Sequence, residues 1–217
     1  MSDESSSTPT QASTSASAQN PVPPSRIVRG TAAVDDLDAF LSSLDEIASE
    51  TGAVVQAFDA DLIVSDAHLR EATRLAARSI ARNEAVARDP GVEILLYAAG
   101  RRQIDRAFAL GVAEGERRIA VLIADFGEVT GADRPPADLD AALASAEGLV
   151  DTAPPERSVS TTASTEEPPE RRSNPSATFD AERVREFYDI SARELSAVDG
   201  DLADIVRERV ALLDVEK

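Results

Sequence analysis

Short apolar runs alternate with longer segments of helical period. This alternation predicts a single α/β domain, a sheet of about four strands, mixed or largely antiparallel, with helices packed against it. Three observations carry the prediction. A hydrophobic fraction of 42% in 217 residues suffices for one core. The apolar runs are of strand length and are punctuated by Gly, Pro or Asp. Two stretches poor in large apolar residues, 1–25 and 153–177, stand outside the pattern.

Residues 26–33 (RIVRGTAA) read as the opening strand. Over 35–50, Leu37, Phe40, Leu41, Leu44 and Ile47 recur at helical spacing, and Gly52 ends the helix. Val54, Val55 and Phe58 mark a second strand. A long helix capped by Ser65 or Asp66 is expected to run to about Arg88. Asp89-Pro90-Gly91 makes a turn, and 92–99 (VEILLYAA), continuously apolar, reads as a buried strand. Gly100 then turns the chain into a helix from Arg101 to about Leu110. Residues 118–126 (RIAVLIADF) form the last strong strand, and 138–150 a further helix. Two more helical pieces fall near 180–188 and 202–213.

Residues 1–25 are therefore expected to be a disordered tail and 153–177 a disordered linker, since neither can bury enough surface to offset its ordering entropy. Residues 26–152 form the main part of the domain, and 178–217 supply helices that complete it. No internal repeat is visible.

The formal net charge is -18, yet only Lys217 is lysine among 22 basic residues. Abundant carboxylates with arginine in place of lysine point to a high-salt setting, where the Debye length falls to about 3 Å at 1 M and repulsion is screened. The acidity then reports the solvent; the alternative is an acidic protein with a basic partner. The absence of cysteine excludes disulfides and thiolate chemistry. No apolar run reaches the roughly 18 residues of a membrane span, and the N-terminus lacks the features of a secretion signal, so a cytoplasmic location is expected.

Enzymatic motifs are scarce. His68, the one histidine, lies in the first turn of a predicted helix and reads as a packing or capping residue. Neither a phosphate-binding loop nor a dinucleotide glycine fingerprint is present, and no Gly-x-Ser-x-Gly accompanies His68. No cofactor or metal is expected. Carboxylate acid–base chemistry stays open, since the 40 acids single out no pair.

The charge map is more informative. Between Arg70 and Arg118 ten arginines face seven acids, a basic island in an acidic chain. Arg70, Arg74, Arg78 and Arg82 repeat every four residues, a stripe opposite the apolar side of the long helix. Neither Glu71 nor Glu84 stands at the favourable four-residue spacing to them, which favours a binding face over a solvated one. Arg101 and Arg102 open the next predicted helix, where free N–H groups suit an anion. Gly100, Arg101, Arg102, Gln103 and Ile104, with Arg70, Arg74 and Arg78, are accordingly the candidate phosphate-binding residues.

Residues 92–111 (VEILLYAAGRRQIDRAFALG) resemble the most recognisable stretch of one family, the small accessory subunit of the KEOPS tRNA-threonylcarbamoylation complex, called TPRKB in animals. The shared pattern is Leu95-Leu96-Tyr97, the Ala98-Ala99-Gly100 turn, Arg101-Arg102, and Gln103-Ile104. Residues 52–59, 66–82, Tyr188-Asp189-Ile190, Glu194-Leu195 and 207–214 also fit, while tail and linker depart from the compact family core. The resemblance implies a protein without an active site of its own. It would bind the complex's kinase-like ATPase subunit as a monomer within a hetero-complex, and help bring tRNA for threonylcarbamoyladenosine formation beside the anticodon. Two other readings compete: a stand-alone small α/β enzyme using carboxylates, and a pure adaptor without RNA contact.

Overall fold

A computed structural model describes residues 22–152, 179–198 and 200–215. Most of the expected tail and all of the expected linker lie outside the described residues. Three strands, β1 (Ser25–Val34), β2 (Val54–Asp59) and β3 (Gly115–Ala124), form a sheet of order β1-β3-β2. Both pairings are antiparallel, with Ser25 opposite Ala124 in one and Val54 opposite Ala124 in the other. Every residue from Ile119 to Ala124 is fully buried. A central strand covered on both faces cannot alternate, which is why this stretch is a continuous apolar run.

Two helical layers cover the sheet. On one face, α1 (Leu37–Thr51) and α5 (Leu139–Glu147) bring Leu44, Ile47, Ala142 and Ala146 against Val28, Ile119, Val121 and Ile123. On the other lie α2 (Asp66–Ala81) and α3 (Pro90–Ala98), joined by α6 (Ala181–Phe187) and α8 (Leu202–Val215). Leu69, Ala76, Ile94, Val184, Val206 and Val210 pack there with Phe58, Ala120 and Leu122. The helices after residue 178 thus share one core with the body. Short pieces complete the fold: 3₁₀ turns at Ala60–Leu62 and Phe108–Leu110, α4 (Ile104–Ala107) and α7 (Ala192–Ala197).

The α/β class and antiparallel sheet agree with the sequence expectation, with three strands instead of about four. The missing strand is 92–99, which is helix α3. Asp89 is its N-cap, accepting from the Val92 N–H at 3.0 Å, and Pro90 occupies its first turn. Asp-Pro starts a helix at least as naturally as it makes a turn. Ile94, Leu95, Leu96, Tyr97 and Ala98 are all buried, so the helix is apolar all round, and periodicity cannot distinguish that from a buried strand.

Helix ends explain the other differences. The long helix stops at Ala81, because Asn83 takes a left-handed φ of 56° and the N–H groups of Asn83 and Glu84 bond back to the carbonyls of Ile80 and Ser79. This is a Schellman cap. Gly100, at φ 59°, does the same for α3: its N–H and that of Arg101 reach the carbonyls of Tyr97 and Leu96. The helix expected over 101–110 contracts to α4 and the 3₁₀ turn after it.

Candidate functional site

Helices α2 and α3 run antiparallel. His68, near the start of α2, donates from Nε2 to the Ala98 carbonyl at 2.9 Å, and Ser79, near its end, donates to Glu93 at 3.0 Å. Glu93, itself buried, also accepts from the Val86 and Ala87 N–H groups and so fixes the α2–α3 loop. Gly100 therefore lies at the end of α2 that carries Arg70. Arg78 is eight residues further, about 12 Å along the axis at 1.5 Å per residue. The arginine stripe and the Gly100 turn meet only at one end.

The stripe is engaged along the helix itself. Arg74 forms a two-pronged pair with Glu71, Nη2 to Oε1 at 2.6 Å and Nε to Oε2 at 2.9 Å. A three-residue spacing sufficed for this planar fork, so the sequence argument from four-residue spacing was too strict. Arg70 is exposed and Arg78 half-buried.

The basic pair is placed differently from expectation. Arg101 and Arg102 follow the C-terminus of α3 and precede a helix of four residues. They sit at the negative end of a helix dipole, which favours cations, and the argument for a helix-start anion site falls away. Arg101 donates from Nη2 to the Phe187 carbonyl and to Asp189 Oδ2, the latter at 2.8 Å, and lies over the Phe187 ring, 5.6 Å from its centre. Arg102 Nη2 donates to the Leu213 carbonyl at 3.0 Å. Both hold the segment after residue 178 against the end of α3.

Gln103 is the N-cap of α4 without a side-chain cap bond and is exposed. Ile104 is 38% exposed and Phe108 53% exposed, two of the few large apolar side chains open to solvent. They are four residues apart across the short α4 turn, with exposed Arg106 between them. Apolar surface beside arginines is the pairing that unstacked nucleic-acid bases use. Phe108 and Arg106 were missed in the sequence, although their spacing from Ile104 was legible.

A second charged cluster clasps α6 to the body. Arg183 bonds Asp59 at 2.6 Å and Asp61 at 3.1 Å, and Arg118 bonds Asp61 at 2.8 Å. Hydrogen bonding to Asp59 raises the Arg183 pKa above its ordinary value. Its cations are engaged, which makes the cluster a joint between segments.

His68 is wholly buried, and burial lowers its pKa to about 4. The Ala98 carbonyl that accepts from it also accepts from the Tyr188 hydroxyl at 2.8 Å. A neutral imidazole sealed in the core cannot exchange protons with substrate, so His68 packs. Among the described residues no group of three or more His, Asp or Glu side chains is arranged to hold a metal. No described helix is long and apolar enough to cross a membrane.

Charge is polarised across the sheet. Residues 35–51 and 138–151, which hold α1 and α5, carry ten acids and no arginine or lysine. The opposite layer mixes both signs, with 13 arginines and 17 acids over residues 60–110 and 179–215, so a polyanion is repelled most strongly by the α1 and α5 layer.

Compared with known proteins, residues 38–214 match the family model described as "Kinase binding protein CGI-121". No curated protein matches the chain.

Proposed function

The chain belongs to the CGI-121 family of kinase-binding proteins, and from that premise we propose that it is the non-catalytic KEOPS subunit that binds the kinase-like ATPase and helps recruit tRNA. The family match, which covers α1 through most of α8, carries the kinase part of this reading. The chain acts as a monomer within a hetero-complex, in the cytoplasm. The direct test is mixing the purified chain with the purified kinase-like ATPase of the same cell and following co-elution on size exclusion. Separate elution of the two would end the reading.

The tRNA part rests on the turn after α3. Gly100 to Ile104, with Arg106 and Phe108, present an apolar surface flanked by guanidinium groups, on the sheet face opposite the acidic layer. Arg70, which is exposed, extends it as a phosphate contact; Arg74, held by Glu71, contributes less. Threonylcarbamoyladenosine formation belongs in this proposal to another subunit.

The arginine bias and the -18 charge support a halophilic setting. At low salt the acidic layer repels itself, so the thermal midpoint should rise steadily from 0.1 to 2 M KCl. A midpoint indifferent to KCl would remove the salt-adaptation reading.

A further inference from the structure

Asp189 stands where local rules disfavour it. It is the residue after the α6 C-cap, at a left-handed φ of 54°. Its N–H and that of Ile190 bond back to the carbonyls of Glu186 and Arg185, a third Schellman cap among the described residues. Glycine or asparagine is the usual occupant of that position, and a carboxylate at the negative end of a helix is unfavourable in addition. Aspartate tolerates the left-handed backbone, so the charge is what needs a compensating partner, and Arg101 supplies it.

The geometry of that pair is asymmetric. The Asp189 side chain is 70% exposed, whereas that of Arg101 is 18% exposed. Arg101 would stay in place without the carboxylate, because the Phe187 carbonyl and ring hold it independently. Hydrogen bonding from Arg101 pulls the Asp189 carboxyl below its ordinary range, and Arg106 and Arg209 act in the same direction. An exposed anion therefore sits among three guanidinium groups, on the solvent side of the most fixed one.

We propose that the Asp189 carboxylate is a built-in stand-in for a nucleic-acid phosphate on Arg101, and that RNA binding displaces it. The inference rests on the RNA-facing reading above and adds an autoinhibitory contact to it. An incoming phosphate offers Arg101 the same charge-assisted bonds as the carboxylate, with exposed Arg106 as the flanking cation; Arg209 is already held by Glu194 at 2.8 Å. Asp189 thereby sets the threshold affinity and selects for polyanions that bring apolar contacts as well.

The test measures binding of the full chain to an unmodified tRNA transcript over a range of KCl. Asp189→Asn keeps the left-handed backbone, which asparagine favours, and removes the charge. Glu182→Gln, an exposed change on the same helix, controls for the loss of one negative charge. Asp189→Asn should bind tRNA at least threefold tighter than Glu182→Gln, with a salt dependence steeper by about one phosphate contact. Adding Arg101→Gln to Asp189→Asn should abolish the gain. If the parent binds tRNA but Asp189→Asn binds no tighter than the control, the stand-in is wrong and the RNA-facing reading survives. If parent and variants all fail to bind tRNA, both fall together.

Discussion

Lowering the pH from 7 to 4 should destabilise the parent by about 3 kcal/mol more than a His68→Phe variant, because burial holds the His68 pKa at about 4 against an ordinary 6.5. The sign follows from proton counting. Between those two values the unfolded chain binds a proton at His68 and the folded one does not, so stability falls as pH falls. The contribution is complete above pH 6.5 and lost progressively down to pH 4. Carboxylates titrate in the same interval, and their protonation also relieves the -18 charge; both effects are common to parent and variant and cancel in the difference. Phenylalanine fits the test because the Tyr188 hydroxyl still serves the Ala98 carbonyl when the imidazole is gone. Urea unfolding at each pH, in constant KCl, gives the two curves. Curves that stay parallel from pH 7 to 4 would mean that His68 is not sealed in the core.

Replacing Ile104 with serine together with Phe108 with alanine should weaken tRNA binding by at least tenfold, about 1.4 kcal/mol, with the unfolding midpoint nearly unchanged. Base-on-aromatic stacking contributes roughly 1–3 kcal/mol per base, and these side chains are exposed, so their loss opens no core cavity. Arg70→Gln should weaken binding less, as one peripheral phosphate contact does. Reversing Arg101 and Arg102 to glutamate is a poorer probe, since both hold the segment after residue 178 and the fold would suffer with the RNA contact. A double variant at Ile104 and Phe108 that binds tRNA as the parent does would leave the apolar surface without an RNA role.

What the sequence disclosed and what it hid have physical causes. The amphipathic α1, the central strand β3 and the Ser65 cap of α2 were legible because period, apolar runs and capping chemistry are local. The 92–99 stretch misled because a helix buried on every side has no period to read. The error then propagated: a strand ending at Ala99 made Gly100 a strand-to-helix turn and put Arg101 at a helix start, whereas Gly100 closes α3. Long-range partners were beyond reach. Nothing near Arg101 in the sequence announces Asp189, 88 residues on, and nothing near Asp59 announces Arg183. The arginine stripe was correctly placed on one face, but whether each member is engaged depended on side-chain geometry, as Arg74 and Glu71 show.

The central claim, that this chain is a kinase-binding subunit without chemistry of its own, is tested most directly by ATP hydrolysis. Three reactions in molar KCl suffice: the purified chain alone, the purified kinase-like ATPase of the same cell alone, and the two together. The account predicts no turnover by the chain alone and a changed rate for the mixture, saturating at one chain per ATPase. Hydrolysis by the chain with the ATPase rigorously excluded, or a mixture whose rate equals that of the ATPase alone, would contradict it.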